Sequence, residues 1–266
     1  MENLIYFFVF IFGTIIGSFL NVVIARYNTG ESVFKGRSKC FSCGKTLAWY
    51  ELVPVFSFLL QGGKCRECGS KISIQYPVVE ILTGIIFVLV WYTSTWRLSL
   101  QVEGELVFFA IYFWTIFSLL IVIAVYDFYH QIIPDGLVYA FITLSFLSFL
   151  PIGETYVIHR SHLWDFLAGI IFFLFFASFW FFSGGKWMGF GDAKLAIGIG
   201  WLLGLWVGLA SIILSFWIGA IVGLVFIFSK KLGLKSKIAF GPFLILGTFI
   251  GFLLGERLLE FIFFLR

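Results

Sequence analysis

Charged side chains are scarce in this sequence. Only 12% of the 266 residues are Asp, Glu, Lys or Arg, whereas soluble globular domains carry about a quarter. Hydrophobic residues make up 61% of the chain and aromatic residues 21%. This composition excludes a soluble globular protein. The basic residues also form no segregated domain, so the net charge of +4 gives no reason to expect nucleic-acid binding.

A signal-peptide cleavage site is also missing. No run of small residues follows the first apolar segment, which we interpret as a retained helix rather than a removed leader. Apolar stretches of a length suited to crossing a bilayer recur along the chain. They cover residues 4–24, 78–92, 106–126, 137–152, 163–182, 195–228 and 240–264. The pattern predicts an all-α polytopic membrane protein that is embedded in the lipid bilayer.

The stretch at 195–228 has an ambiguous length. Its 34 residues would make about 51 Å of helix, against about 30 Å of hydrocarbon, which is too long for one span and tight for two. A turn at one of its glycines would make a hairpin and give about eight spans, with both termini on one side. Fourteen of the 18 basic residues, including four lysines at 230–237, then lie in loops on the other side. The positive-inside rule makes these loops cytoplasmic and places the termini outside.

This topology predicts three parts. Residues 1–25 form the first transmembrane helix, residues 26–76 form a cytoplasmic loop domain, and residues 77–266 form a seven-helix transmembrane bundle. Within the loop domain, the segment "ELVPVFSFLL" (51–60) is apolar but too short to span a bilayer. We expect it to form a small core or to lie on the membrane surface.

All four cysteines lie in the loop domain, as two C-x-x-C pairs. Cys40 and Cys43 form the first pair and Cys65 and Cys68 the second, and a glycine follows each pair. The 21 residues between the pairs lie just beyond the usual zinc-ribbon spacing of about 15–20. Four thiolates make a closed, tetrahedral, structural zinc site, which would help to fold a domain with little core. The alternative is two disulfides, which the reducing cytosol disfavours.

Two carboxylates stand at the ends of predicted spans. Asp127 ends the third span, and Asp192 precedes the sixth in "GFGDAKL" (189–195), which places both at the cytoplasmic boundary. On sequence physics alone, they fit a functional pair and ordinary interfacial charge equally well. A close pair of carboxylates cannot both ionise cheaply, so one can act as base and the other as acid in aspartyl proteolysis. We expect Asp135 to cap the fourth helix, and Lys194 to reach the headgroups or to orient Asp192.

These motifs together resemble the bacterial type IV prepilin peptidases, the leader peptidase/N-methyltransferases of the GxGD aspartyl protease class. The resemblance runs nearly from end to end of the chain. It is carried by "GSFLNVVIARY" (17–27), the C-x-x-C pairs, "YPVVEILTG" (76–84), D-x6-P-D (127–135), "GFGDAKL" and "FGPFL" (240–244). Their joint occurrence, in this order, is highly specific.

The resemblance implies an activity in the bacterial cytoplasmic membrane. Asp127 and Asp192 match the family's catalytic aspartates, which cleave prepilins and pseudopilins of pili or secretion systems after a glycine at the cytoplasmic face. Bifunctional members then methylate the new N-terminus with S-adenosylmethionine, an activity that the resemblance links to the loop domain. The sequence has no glycine-rich cofactor loop that would indicate this methyl donor independently.

Glu80 is a candidate for binding a positive group, because an intramembrane acid is functional by default. The group would be the substrate's amine or the sulfonium of the methyl donor. A structural role is an equally good interpretation, with Arg26 or a lysine of the loop domain as the partner of Glu80.

Two other classes of protein remain as alternatives. By composition, the chain also suits a transporter in which Asp127 and Asp192 relay protons, although coupling sites usually lie at the membrane midplane rather than at one face. A purely structural membrane protein would leave "GFGDAKL" without an explanation.

Overall fold

The computed structural model describes residues 2–97, 103–149, 151–152, 155–156, 163–229 and 238–263. The chain divides into two compact units, Met1–Val122 and Ile123–Arg266. Most described residues are helical. The lysines at 230–237 that support the predicted orientation lie outside the described residues.

The first unit is built on two closely packed helices, α1 (Glu2–Arg26) and α3 (Gln75–Arg97). Gly13 and Gly17 of α1 form a G-x-x-x-G pair on the surface that faces α3. A Cβ atom on Gly17 would lie 2.7 Å from the Cα of Glu80, so only glycine permits this approach. Between the two helices, the chain forms a short 3₁₀ turn (Trp49–Glu51) and the five-residue helix α2 (Phe56–Leu60).

Helix α4 (Glu103–His130) begins in the first unit and ends in the second. Within the first unit, the ring of Trp114 stacks on that of Phe87 at 4.9 Å, and its Nε1 donates a hydrogen bond to the Phe87 carbonyl at 3.0 Å. This contact fixes the first part of α4 against α3.

The second unit contains the remaining elements. They are α5 (Asp135–Leu147), β1 (Pro151–Ile152), β2 (Thr155–Tyr156), α6 (Leu163–Ser183), α7 (Phe190–Leu203), α8 (Leu205–Phe228), α9 (Gly241–Leu254) and α10 (Glu256–Phe263). The two short strands pair antiparallel, with Pro151 opposite Tyr156.

Helix α7 is the most buried helix of the second unit and packs against α5, α6, α8 and α9. Its glycines allow this packing. A Cβ atom on Gly200 would lie 2.5 Å from the amide nitrogen of Gly169 in α6, and one on Gly198 would overlap the ring of Phe141 in α5. The small residues of α7 therefore bring its first turn, which carries Asp192, into the interior of the unit.

The structure confirms an all-α polytopic membrane protein. Within the described ranges, five helices are long and apolar enough to cross a bilayer, and a sixth span results if α9 and α10, bent by 117°, count as one. Helix α5 is apolar but has only 13 residues. The predicted figure of eight spans is not confirmed. The ambiguous stretch at 195–228 does break at a glycine, because Gly204 takes a φ of 74° between α7 and α8.

The prediction that Asp135 caps α5 is wrong. The N-cap residue is Pro134, and no side chain of the described part of the chain forms a capping hydrogen bond there. Asp135 instead lies in the first turn of α5, where its carboxylate pairs with Lys194.

Candidate active site

Asp127 lies near the end of α4, and its side chain is buried, with 4% of the residue exposed. Its Oδ2 accepts a hydrogen bond of 3.2 Å from the backbone amide of Gly241, the first residue of α9. A Cβ atom at position 241 would lie 2.6 Å from the same oxygen. Glycine is therefore the residue that lets the start of α9 reach this carboxylate.

Asp192 lies in the first turn of α7 and is 6% exposed. Its Oδ1 is buried and has no hydrogen-bond partner among the described residues. The carboxylate of Asp127 lies within electrostatic range of it. An unpartnered buried carboxylate oxygen is costly, and such an atom commonly indicates a functional site.

Ile133 lies between the helix ends that surround the two aspartates. A Cβ atom on Gly191 would lie 2.7 Å from the Cβ of Ile133, and one on Gly241 would lie 3.4 Å from its Cδ1. The buried Ile133 side chain therefore contacts the first turns of both α7 and α9. Three separate stretches of sequence, D-x6-P-D, "GFGD" and "FGPFL", meet at this point.

Lys194 does not orient Asp192. Its Nζ lies 2.7 Å from Oδ1 of Asp135 and 5.4 Å from the ring centroids of both Tyr139 and Phe190. This ion pair connects the first turn of α5 to the first turn of α7. The prediction that Lys194 orients Asp192 is therefore wrong, and the ion pair gives Lys194 a role that links two helices. The expected reach toward the headgroups stays a prediction.

Two buried, neighbouring carboxylates provide the groups for acid–base chemistry. Sequence spacing indicated Asp127 and Asp192 but not the contribution of Gly241, because 114 residues separate it from Asp127. The sequence signal for Gly241 was the "FGPFL" motif, but the residues of this motif do not by themselves indicate what Gly241 contacts. Ile133 had no signal of its own.

The four cysteines of the first unit converge on one point. Their Sγ atoms all lie within 4.8 Å of one another, and all four thiols are free. The Sγ atoms of Cys40 and Cys68 are 3.8 Å apart, which matches the separation of about 3.8 Å that a tetrahedron of Zn–S bonds of about 2.3 Å requires. The residues therefore fit the predicted zinc site rather than two disulfides.

Each C-x-x-C pair forms the same backbone turn. The Gly44 amide donates to the Cys40 carbonyl and the Gly69 amide to the Cys65 carbonyl, both at 2.9 Å. Gly44 and Gly69 have φ of 72° and 67°, a region that favours glycine. The glycine after each pair therefore allows the tight turn that both pairs share.

Hydrogen bonds favour the thiolate form of Cys40 and Cys68. The Cys43 amide, followed by the Ser70 hydroxyl, lowers the pKa of the Cys40 thiol to about 6. The Ser70 hydroxyl also lowers the pKa of the Cys68 thiol. At Cys43, the hydrogen bond from the Lys45 amide is outweighed by burial and the neighbouring thiols, which raise the pKa of the thiol to about 11. Because the thiolate is the form that binds metals, this arrangement is chemically consistent with a zinc site.

Glu80 is buried and lies near the start of α3. Its Oε2 accepts a hydrogen bond of 2.7 Å from the amide of Val55. Arg26 is engaged elsewhere, since its guanidinium donates to the carbonyls of Ser32 and Lys35. The prediction that Arg26 or a lysine of the loop domain pairs with Glu80 is therefore wrong, because the carboxylate of Glu80 accepts from the Val55 backbone amide instead.

Glu80 also lines a cavity of about 980 Å³ within the first unit. Residues of α1 and α3, including Asn21 and Tyr76, form one part of its wall, and the cysteine-bearing loop forms another. Arg26 and Glu51 add charged groups to the lining. A cavity of this size is within the range of small-molecule sites.

Comparison with known proteins supports the same family across both units. Residues 11–94 match the bacterial peptidase A24 N-terminal domain, and residues 114–228 match the type IV leader peptidase family. No solved structure matches the chain significantly.

Three curated relatives illustrate the similarity, and each is named prepilin leader peptidase/N-methyltransferase. The protein from Bacillus subtilis is 32% identical over 252 residues, which cover 95% of both chains. The protein from Xanthomonas campestris is 31% identical over 82% of this chain and 72% of its own. The protein from Myxococcus xanthus is 42% identical over 48% of this chain and 35% of its own. The chain thus belongs to the type IV leader peptidase family.

Proposed function

We propose that the chain is an aspartyl endopeptidase that removes the leader of type IV prepilins or pseudopilins after a glycine, at the cytoplasmic face of the inner membrane. The observation that carries this proposal is the pair of buried carboxylates, Asp127 in the last turn of α4 and Asp192 in the first turn of α7. The names of the relatives support the substrate class. The excess of basic residues in the predicted cytoplasmic loops supports the orientation.

In the proposed mechanism, one carboxylate acts as base and the other as acid. Asp127 takes a proton from water, because the amide of Gly241 stabilises its ionised form by hydrogen bonding. The hydroxide adds to the scissile carbonyl carbon, while protonated Asp192 donates its proton to the carbonyl oxygen. The tetrahedral intermediate then collapses and the C–N bond breaks. The proton on Asp127 passes to the leaving amine, and one hydroxyl of the intermediate returns a proton to Asp192 as the new carboxyl group forms.

The test is cleavage of a prepilin-like peptide by the purified full-length protein. We expect Asp127→Asn and Asp192→Asn each to abolish cleavage while membrane insertion and purification remain normal, since an amide can neither take nor give the required proton. Substantial cleavage by either variant would remove that residue from the mechanism.

We further propose that the first unit carries the N-methyltransferase activity, with S-adenosylmethionine as methyl donor and zinc as a structural ion. The cavity of about 980 Å³ supports this location, because the buried carboxylates of Glu80 and Glu51 line it. Bound there, the methyl donor would supply an electrophilic methyl group. Glu80 would attract a positive group, either the sulfonium or the new N-terminal amine, and Cys40, Cys43, Cys65 and Cys68 would hold the zinc.

Binding of the methyl donor can be measured directly by calorimetry on the zinc-loaded protein. Glu80→Gln is the informative variant, because its amide oxygen can still accept the hydrogen bond from Val55 while the charge is lost. We expect weaker methyl-donor binding or slower methylation of a pre-cleaved peptide, with normal zinc content. Unchanged values for both would exclude Glu80 from the site.

A further inference from the structure

An uncharged, exposed apolar segment lies in the loop domain of the first unit. No charged residue occurs at positions 52–63. The outward side chains of α2 are exposed: Phe56 by 67%, Leu59 by 66% and Leu60 by 79%. Exposed apolar side chains on a segment outside the spans require a covering partner.

The residues at both ends of this segment are typical of a membrane interface. Trp49 and Tyr50 precede it with 78% and 46% of their surface exposed, and the exposed Lys64 follows it. Trp and Tyr are enriched where headgroups meet hydrocarbon, and lysine side chains extend from there to water. These flanks favour lipid over a protein partner.

A backbone contact fixes this segment to a membrane-spanning helix. The Val55 amide donates to Oε2 of Glu80, which lies in the candidate span Gln75–Thr95 of α3. Helix α2 begins at the next residue, Phe56. Helix α2 is therefore attached, through the residue before it, to a helix that is long and apolar enough to cross a bilayer.

Val55, the residue that attaches the segment to α3, has an unusual backbone conformation. Val55 has φ of 62° and ψ of −52°, and the Phe56 amide donates to the Pro54 carbonyl at 2.6 Å. This is a γ-turn with positive φ at a β-branched residue, a rare conformation that costs about 1–3 kcal/mol. Glu80 stabilises it by accepting the amide that the turn directs toward α3.

The opposite side of the segment lines the cavity. Leu52, Ser57, Phe58 and Gln61 belong to its wall, whereas the outward residues Phe56, Leu59 and Leu60 do not. The segment is therefore two-sided, with one face toward the cavity and one apolar face outward.

We propose that residues 52–61 lie in the headgroup boundary of the bilayer and form a lipid-covered wall of the cavity, held in place by Glu80. The outward face of α2 rests on acyl chains, and Trp49, Tyr50 and Lys64 lie among the headgroups. This inference does not depend on the proposed peptidase or methyltransferase activity. It assigns a lipid surface, rather than a second protein, as the partner of α2.

The test is site-directed spin labelling of the zinc-loaded full chain, one molecule per nanodisc of mixed zwitterionic and anionic phospholipid. Leu60→Cys places the label on the outward face, and Ser57→Cys is the matched control on the cavity side of the same helix. Collision with dissolved oxygen, which concentrates in lipid, is compared with collision with a water-soluble nickel chelate. The unsubstituted protein, treated with the same spin label, is the control that shows how far the four native cysteines are labelled.

We expect the label at position 60 to collide several-fold more with oxygen than with the nickel chelate, and the label at position 57 to be protected from oxygen. Collision mainly with the chelate would show that the face is in water and overturn the proposal. Protection from both reagents would also overturn it, because the face would then be covered by protein.

A second pair of variants tests the anchor. In the Leu60→Cys background, Glu80→Ala removes the acceptor for the Val55 amide and should reduce oxygen collision, whereas Glu80→Gln keeps an acceptor and should preserve it. Zinc content and elution volume confirm that both variants remain folded. Equal oxygen collision in the two variants would show that Glu80 does not anchor the segment.

Discussion

At the scale of single residues, the candidate peptidase site depends on two glycines, Gly241 and Gly191. In each case a neighbouring side chain lies so close that a Cβ atom would have no room. For Gly241 the neighbour is the carboxylate of Asp127, and for Gly191 it is the side chain of Ile133. Both glycines therefore act by allowing a close approach of backbone to side chain.

Gly241→Ala should strongly reduce peptide cleavage. The added methyl would lie 2.6 Å from Oδ2 of Asp127, so the carboxylate or the start of α9 must move. The matched control is Gly223→Ala in α8, where the nearest atom would lie at an ordinary 3.6 Å. We expect cleavage by the control to stay close to that of the unsubstituted protein. Equal activity of the two variants would refute the positioning role of Gly241.

The two glycines of "GFGD" should differ in their tolerance of alanine. A Cβ atom at 191 meets the Cβ of Ile133 at 2.7 Å, whereas at 189 the nearest atom is Oδ2 of Asp192 at 3.5 Å. Overpacking of a tight contact costs about 1–3 kcal/mol, so Gly191→Ala should lower stability by that amount and Gly189→Ala by less. Thermal unfolding in detergent measures the difference, and a more stable Gly191→Ala variant would contradict it.

At the scale of helices, the site forms where helix ends meet. The last turns of α4 carry Asp127, the first turn of α7 carries Asp192, and the first residue of α9 donates to Asp127. The pair of Lys194 and Asp135 connects the first turns of α7 and α5 beside them. Short segments from four helices therefore define the position of the two carboxylates.

Asp135→Asn should retain most of the cleavage activity. Lys194 is 16% exposed and Asp135 is 61% exposed at the side chain, and ion pairs in such surroundings contribute about 0–1 kcal/mol. A double-mutant cycle with Lys194→Met, followed by unfolding, should give a coupling free energy in that range. Loss of cleavage as complete as in Asp127→Asn would show that Asp135 acts in the chemistry.

At the scale of the whole molecule, the zinc-site residues and the carboxylate pair belong to different compact units. Cys40, Cys43, Cys65 and Cys68 lie in the first unit, and Asp127 and Asp192 lie in the second. A change in one unit should therefore leave the local packing of the other intact. The two activities that we propose can be separated on this basis.

Cys40→Ser should lower the metal content from about one zinc per chain and reduce methylation more than cleavage. Zinc binding supplies much of the folding free energy of a small domain, so the loop domain should unfold locally. Ser42→Ala, between the two cysteines of the pair, is the control with normal metal content. Methylation of a pre-cleaved peptide and cleavage of the full peptide are measured in parallel. Normal methylation with failed cleavage would instead assign the loop to substrate capture.

The sequence by itself determined the class of the molecule and its reactive groups. Apolar stretches of membrane length predict helices because the bilayer leaves no other way to satisfy the backbone. The C-x-x-C pairs, each followed by glycine, predict a four-thiolate cluster because the local turn dictates where both sulfurs point. These features depend on neighbours in sequence. The structure has the four-thiolate cluster and helices in the apolar stretches, although the predicted number of eight spans is not confirmed.

Tertiary structure alone decided which groups meet across long separations. The amide of Gly241 donates to Asp127 across a sequence separation of 114 residues. Lys194 pairs with Asp135 across 59 residues, and the Val55 amide donates to Glu80 across 25 residues. No local pattern encodes these partners, because they result from how closely glycine-bearing helices pack. The physical reason is that a side chain's chemistry is fixed by its own atoms, whereas its partner is fixed by the packing of the whole unit.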